Sequence, residues 1–208
     1  MRTVGTLLFP GFELLDVFGP LEMFGALADD YSLQMVAETA GPVASRQGPQ
    51  AIADVSLADA KPYDILLVPG GLGTRREVDN TALTDWIGRH ADACPVVASV
   101  CTGSALLARA GLLDGRKATS NKKALDWVMS QGPKVDWRPR ARWVVDGKFW
   151  TSSGVSAGID MALALIAELN GKEKAAWAAA HTEYRWVDDA DDDPFGPLYD
   201  RRKTSRDN

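Results

Sequence analysis

Long apolar runs and clustered basic residues are both missing from this chain of 208 residues. No apolar stretch approaches the roughly 20 residues that a transmembrane helix requires. The opening MRTVGTLLFPGF has too short an apolar run for a signal peptide and no small-residue cleavage site, so we expect a cytoplasmic protein. The formal net charge is -5, and no basic stripe is present. We therefore expect no membrane and no nucleic-acid partner, because binding to phosphate backbones needs clustered Lys and Arg.

Cysteine is also scarce, with only Cys94 and Cys101 in the chain. Both fall on the stretch ACPVVASVC, which we interpret as one strand. At the rise of an extended chain they lie on the order of 20 Å apart. This separation is far beyond disulfide reach, so we expect two free thiols.

The composition, with 46% hydrophobic and 25% charged residues, suits one globular domain. Short β-branched runs alternate with helical patterns, which predicts an α/β fold with a doubly wound, mostly parallel sheet between layers of helices. The predicted strands cover 4–9, 31–38, 64–68 and 96–100. The predicted helices include 14–24, 83–90, 103–109, 157–169 and 172–186, and Asp146-Gly147 predicts a hairpin turn.

The C-terminal end departs from this pattern. We assign residues 1–187 to the α/β domain and 188–208 to a tail that is first acidic and then basic. The run from Asp188 to Asp193 predicts a solvated spacer, because like charges repel each other. It lacks the fixed ligand spacing of a cation site, so we expect no metal there. Residues 201–208 are expected to fray.

A possible reactive centre lies at Ser99-Val100-Cys101-Thr102-Gly103, where a predicted strand stops and a helix begins. Small residues on both sides of a central nucleophile are typical of an elbow, a strained turn that holds the reactive atom above the sheet. A helix N-terminus behind the sulfur favours its thiolate. The alternative is an inert buried cysteine at a strand end.

Two further motifs accompany this turn. The glycine-rich loop around Gly71 follows a buried strand, so its amide is predicted to approach the Thr102 amide and stabilise an electrophile. The alternative is a plain tight turn. Asp16 lies among apolar residues after the first strand, where burial raises a carboxyl pKa and suits a general acid. An N-cap is the competing role for Asp16.

Together these motifs resemble the ThiJ/PfpI superfamily, whose fold is like that of class I glutamine amidotransferases. The resemblance runs from position 4 to about position 186, and its further matches are AGLLDGR at 110–116 and GVSAGID at 154–160. Within the superfamily, the Cys-Thr-Gly elbow paired with an Asp is most similar to the isonitrile hydratase group.

The resemblance implies Cys101 as nucleophile, Asp16 as acid-base partner and Thr102 as a neighbour that shapes the site. It also implies substrate contact at Gly71, Thr102 and Val155. No cofactor is implied, and the family tends to form homodimers. The implied reaction hydrates a small isonitrile to an N-substituted formamide. One departure is Ser120-Asn121-Lys122, where relatives carry Thr-His-Trp. If this stretch lines the pocket, polar groups replace an aromatic and an imidazole, and the natural ligand need not be an isonitrile.

The two histidines restrict the alternatives. A cysteine amidotransferase site needs one of them as base, and His181-Thr182-Glu183 resembles its His-x-Glu pair. We place His181 and Glu183 within one helix, where their side chains point in different directions and cannot act at one site. Packing or surface roles are therefore expected for His90 and His181. The competing functions are another hydrolase of the superfamily and a thiol-based redox or ligand sensor without turnover.

Overall fold

The computed structural model describes residues 1–197 and has an α/β architecture. The predictions for the basic end of the tail and for fraying of residues 201–208 lie outside the described residues. The seven strands of the main sheet are β1 (Arg2–Leu7), β2 (Tyr31–Ala37), β5 (Val55–Ser56), β6 (Ile65–Val68), β7 (Val96–Ser99), β10 (Trp143–Asp146) and β11 (Phe149–Ser152). They lie in the order β10-β11-β7-β6-β1-β2-β5, and all neighbouring pairs are parallel except β10 with β11. The predicted fold class is confirmed.

The helices that cover the sheet are α1 (Leu14–Gly25), α2 (Thr74–Glu77), α3 (Thr81–Ala93), α4 (Gly103–Arg109), α5 (Leu125–Gln131), α6 (Ala157–Asn170) and α7 (Lys172–His181). They form two groups. In one group α1 packs against α6 and α7, and in the other α4 contacts α2, α3 and α5. Among residues 1–197, no helix has the length and apolar character to cross a membrane.

The hairpin at Gly147 is confirmed, because β10 and β11 pair antiparallel on either side of it. Two small sheets were not predicted. They are formed by β3 (Gly41–Ala44) with β4 (Gln50–Ala53), and by β8 (Lys117–Ala118) with β9 (Asp136–Trp137). These strands have two to four residues each, which is too short for a period-two pattern to stand out in the sequence.

The register of the central strands brings three loops to one edge of the sheet. Val68 of β6 is level with Ser99 of β7, and Ser99 is level with Thr151 of β11. Because these strands are parallel, the loops that follow them leave the sheet side by side. The glycine-rich loop after β6 and the loop after β11 therefore flank the turn that contains Cys101.

Gly103 shows how tightly this edge is packed. A Cβ atom there would lie 2.2 Å from the main-chain oxygen of Val68. We expect Gly103→Ala to lower the free energy of unfolding by about 1–3 kcal/mol, the usual cost of overpacking. Gly88→Ala in α3 is the matched control, because a Cβ there meets nothing within 4 Å. It should be neutral or stabilising by up to about 1 kcal/mol.

Urea unfolding of both variants checks this prediction. Equal stability of the two glycine variants would contradict the proposed role of close packing at Gly103.

The predicted extent of the last helix is wrong, because α7 ends at His181 rather than near position 186. The Tyr184 amide donates to the Ala179 carbonyl at 2.8 Å and the Glu183 amide donates to Ala180 at 3.1 Å. Glu183 has a φ of 51°. These features form a Schellman motif, in which glycine usually occupies the left-handed position. Because this position is a glutamate here, no glycine in the sequence marks the end of the helix.

The prediction that the acidic run is a solvated spacer is wrong at Asp193. Its side chain is buried, with the Lys122 Nζ at 3.3 Å and the Arg142 Nη1 at 3.7 Å, and the Ser153 hydroxyl donates to it at 3.0 Å. Burial lowers the pKa of Lys122. A buried carboxylate is retained only where cations and donors compensate for lost hydration, and these partners come from distant parts of the chain.

Candidate active site

Cys101 lies on the sharp turn that the sequence predicted. Strand β7 ends at Ser99, helix α4 begins at Gly103, and Cys101 between them has a φ of 55°. This left-handed conformation is strained for a residue with a Cβ, so the surroundings must hold it. The Cys101 amide donates to the Ser153 carbonyl at 3.1 Å, and the Ser120 hydroxyl donates to the Cys101 carbonyl at 2.8 Å.

Asp16 is fully buried beside this turn. It lies in the first turn of α1, whose N-cap is Glu13, so the N-cap role for Asp16 is wrong. Its Oδ2 accepts a hydrogen bond from the Gly70 amide at 2.9 Å. Its Oδ1 has no aligned hydrogen-bond donor among residues 1–197. Burial raises the pKa of Asp16 to about 8, although the Gly70 amide and the Cys101 thiol oppose the shift.

Cys101 and Asp16 titrate as a pair. Burial raises the pKa of the Cys101 thiol, and the nearby Asp16 carboxylate raises that pKa further. The sequence-based expectation of a readily formed thiolate is therefore wrong, because the loss of hydration at this buried turn outweighs the effect of the helix N-terminus. When the pair has lost one proton, the charge can reside on either the carboxylate or the sulfur.

Three groups favour the sulfur as the site of that charge. The main-chain amides of Thr102 and Val155 and the side chain of Asn121 are hydrogen-bonded to Cys101, and each of them lowers the pKa of its thiol. Val155 itself has a φ of 40°, which is unusual for a β-branched residue. The local backbone is therefore held in a conformation that brings its amide to the sulfur.

Asn121 was not predicted as a site residue. Its Oδ1 accepts hydrogen bonds from the main-chain amides of Lys123 at 2.9 Å and Ala124 at 3.3 Å. This fixes the side chain so that its amide nitrogen is the group left to face the thiol. The only signal in the sequence was the departure from the Thr-His-Trp of relatives at this position.

Thr102 and Gly71 are in contact, as predicted, but the contact is a hydrogen bond to the Thr102 hydroxyl. The predicted arrangement placed the two main-chain amides side by side. The Gly71 amide donates to the Thr102 hydroxyl at 3.0 Å, and the Thr74 hydroxyl lies 3.1 Å from the same oxygen. The Gly71 amide thus already has a partner within the protein. Its binding of an oxyanion stays a prediction, and it requires this hydrogen bond to break.

The sulfur faces a cleft of about 330 Å³. This volume suits a small molecule. Four of the five predicted site residues line it, and the fifth, Asp16, is buried behind Cys101. The lining residues are Glu13, Arg46, Gly71, Leu72, Arg75, Cys101, Thr102, Asn121, Lys123, Ala124 and Val155.

Both histidines lie outside the cleft. The His90 ring stacks on Trp86 with centroids 3.9 Å apart, and His181 stacks on Trp177 at 4.8 Å. The predicted packing or surface roles are confirmed, but the placement of Glu183 in one helix with His181 is wrong, because α7 ends at His181. Both cysteines are free thiols, as predicted, although Cys94 caps the end of α3 rather than lying on the strand. The described part of the chain has no cluster of three or more His, Cys, Asp or Glu side chains able to hold a metal ion.

A parallel sheet with an elbow cysteine at its carboxyl edge and a buried carboxyl beside it defines a class of α/β proteins. The sequence model described as the DJ-1/PfpI family matches residues 2–168. The chain belongs to the DJ-1/PfpI family.

Two curated relatives illustrate the range of this family. The chain is 36% identical over 183 residues to an isonitrile hydratase of Pseudomonas putida, and the match covers 87% of this chain and 78% of the relative. It is 32% identical over 173 residues to the HTH-type transcriptional regulator CdhR of Pseudomonas aeruginosa. That match covers 81% of this chain but only 51% of the regulator.

Solved structures agree on the fold. A ThiJ/PfpI family protein from Pseudomonas syringae superposes with a TM-score of 0.83 at 29% identity, over 99% of this chain and 85% of that one. A DJ-1 superfamily protein from Salmonella typhimurium superposes with a TM-score of 0.77 at 26% identity, over 89% of this chain and 100% of that one.

Proposed function

We propose that this protein is a cofactor-free, cysteine-dependent enzyme that hydrates an isonitrile to an N-substituted formamide. The observation that carries the proposal is the Cys101–Asp16 pair at the base of a small cleft, with two amides and Asn121 directed at the sulfur. The similarity to an isonitrile hydratase supports the choice of reaction. We further propose that the enzyme acts in the cytoplasm as a homodimer, and sedimentation velocity tests the dimer.

The reaction begins from the pair with one proton removed. Asp16 takes the thiol proton as the sulfur attacks the terminal carbon of the isonitrile, so a C–S bond forms. Asp16 then returns that proton to the same carbon, which gives a thioimidate, R–N=CH–S. The amides of Thr102 and Val155 and the Asn121 side chain stabilise the sulfur as charge develops on it.

Water completes the reaction. It adds to the thioimidate carbon, with one proton going to the nitrogen, and the C–S bond then breaks. The products are R–NH–CHO and the free thiol, so one isonitrile and one water give one formamide. No electrons are exchanged with an external acceptor, and the cycle needs no redox group.

Ligand sensing without turnover is the second candidate, because regulators are among the similar proteins. In such a sensor the cleft binds a small molecule and Cys101 forms no product. A peroxide sensor is less well supported, since a raised thiol pKa slows oxidation at neutral pH. Another hydrolytic reaction of the family is the third candidate.

Incubation of the purified protein with cyclohexyl isonitrile distinguishes the hydratase from the sensor. We expect N-cyclohexylformamide to form in amounts exceeding the enzyme many times, because Cys101 is regenerated in each cycle. Its absorbance gives the rate, and mass spectrometry identifies the product. Binding of the isonitrile without formamide release would reject the hydratase and favour the sensor.

A further inference from the structure

The mouth of the cleft carries an excess of positive charge. Three of its lining residues are cationic, Arg46, Arg75 and Lys123, and one is acidic, Glu13. The chain as a whole has a formal net charge of -5, so this local excess is opposite in sign to the whole molecule. A cleft lined by one sign of charge concentrates small ligands of the other sign.

Glu13 is already compensated within the protein. Arg46 Nη1 lies 3.5 Å from Glu13 Oε2, and the Gln47 side-chain amide donates to Glu13 Oε1. The Glu13 side chain is only 14% exposed. Its charge is therefore paired with Arg46 and does not offset the charge of Arg75.

Arg75 is the cation best placed to bind a ligand. No carboxylate pairs with it among the residues that the structure describes. Its guanidinium carbon lies 4.5 Å from the centroid of the Trp127 ring. Stacking on an aromatic face fixes the plane of a guanidinium and leaves its N–H edge available for a ligand.

Arg75 lies in the short helix α2, and the turn that leads into this helix is hydrogen-bonded to the reactive centre. The Arg75 amide donates to the Leu72 carbonyl at 3.2 Å, and the neighbouring Gly71 amide donates to the Thr102 hydroxyl at 3.0 Å. Thr102 follows Cys101 directly and presents its amide to the sulfur. Arg75 is thus positioned on a short, hydrogen-bonded segment next to Cys101.

We propose that the cleft selects a small molecule that carries a carboxylate, with the Arg75 guanidinium binding the carboxylate while the reactive carbon faces Cys101 Sγ. A planar guanidinium fork matches a carboxylate with two parallel hydrogen bonds. Resting on the proposed function, this makes the substrate an isonitrile with an acidic substituent rather than a purely apolar one.

Alkylation of Cys101 measures charge selectivity without any turnover. Iodoacetate and iodoacetamide have nearly the same size, and in each case a C–S bond forms and iodide leaves. They differ in that only iodoacetate carries a carboxylate. We expect Arg75→Gln to lower the ratio of the iodoacetate rate to the iodoacetamide rate by about tenfold, as for loss of a hydrogen bond to a charged group. Mass spectrometry of the Cys101 peptide gives both rates.

Three comparisons sharpen this test. Arg89→Gln in α3 makes the same charge change at an exposed arginine that does not line the cleft, and its ratio should equal that of the wild type. Arg75→Lys keeps the charge without the fork, so an intermediate ratio is expected. Raising the salt concentration should lower the wild-type ratio towards that of urea-unfolded protein.

An unchanged ratio in Arg75→Gln, or an equal fall in Arg89→Gln, would overturn the proposal. The substrate class is then tested with isocyanoacetate and its ethyl ester, of which we expect the acid to have the higher kcat/KM. Hydration of neither isonitrile, together with an Arg75-dependent alkylation ratio, would reject the hydratase function and leave the anion selectivity standing.

Discussion

Cys101→Ala is expected to reduce isonitrile hydration by about 10⁴-fold or more, the order of loss seen when an enzyme loses its nucleophile. Without the sulfur no thioimidate forms, and the amides of Thr102 and Val155 have no developing charge to stabilise. The fold should persist, because the variant removes one small group from a strained turn. Formamide production measures the effect, and urea unfolding verifies the fold.

Cys94→Ala is the matched control for this loss. Cys94 is the other free thiol, and it is buried at the end of α3 beside Tyr63 rather than in the cleft. We expect it to retain wild-type turnover. Substantial hydration by Cys101→Ala, or an equal loss in Cys94→Ala, would show that the chemistry does not pass through the elbow.

Asp16→Asn is expected to slow isonitrile hydration by about 10²–10⁴-fold, the usual contribution of a positioned acid-base group. The wild-type rates should rise with pH through the Asp16 pKa of about 8, because the reactive pair has lost one proton. The variant cannot exchange that proton, so its pH profile should lose this step. Rates of formamide formation by both proteins between pH 5 and 10 check the prediction.

The same variant should become more stable than the wild type as pH rises. In the wild type, the folded pKa is raised from 3.8 to about 8. Between these values the unfolded chain has lost a proton that the folded protein keeps, so folding stability falls by up to about 1.4 kcal/mol for each pH unit. Asparagine removes this dependence, and the Gly70 amide can still donate to its side-chain oxygen.

Unfolding midpoints of both proteins at pH 5 and pH 8 measure this difference. We expect the advantage of Asp16→Asn to grow between these values. A constant difference would mean that Asp16 of the folded protein is already ionised at pH 5, which would contradict the raised pKa of this carboxyl.

Some features could be predicted from sequence because their causes are local. The buried strand that ends at Ser99 follows from a run of apolar residues. The elbow follows from the small residues around Cys101, and the hairpin follows from Asp146-Gly147. In each case the pattern reflects the conformation or burial of the residues that carry it.

Other features could not be predicted from the sequence, because their causes lie elsewhere in the chain. The end of α7 depends on a Schellman motif with Glu183 in the glycine position. Asp193 looks solvated in sequence, but Lys122 and Arg142 surround it in the fold. The pKa of Cys101 depends on how deeply the turn is buried, which a pattern of five residues does not record.

By itself, the sequence determined the parallel α/β fold, the position of the elbow and the absence of a histidine partner for Cys101. Only the tertiary structure decided that Asp16 lies behind the sulfur, that Asn121 faces it and that Arg75 stands at the mouth of the cleft. These residues come from segments far apart in the chain, two of them from the first turns of α1 and α2. They meet because parallel strands in register open their carboxyl ends onto the same edge of the sheet.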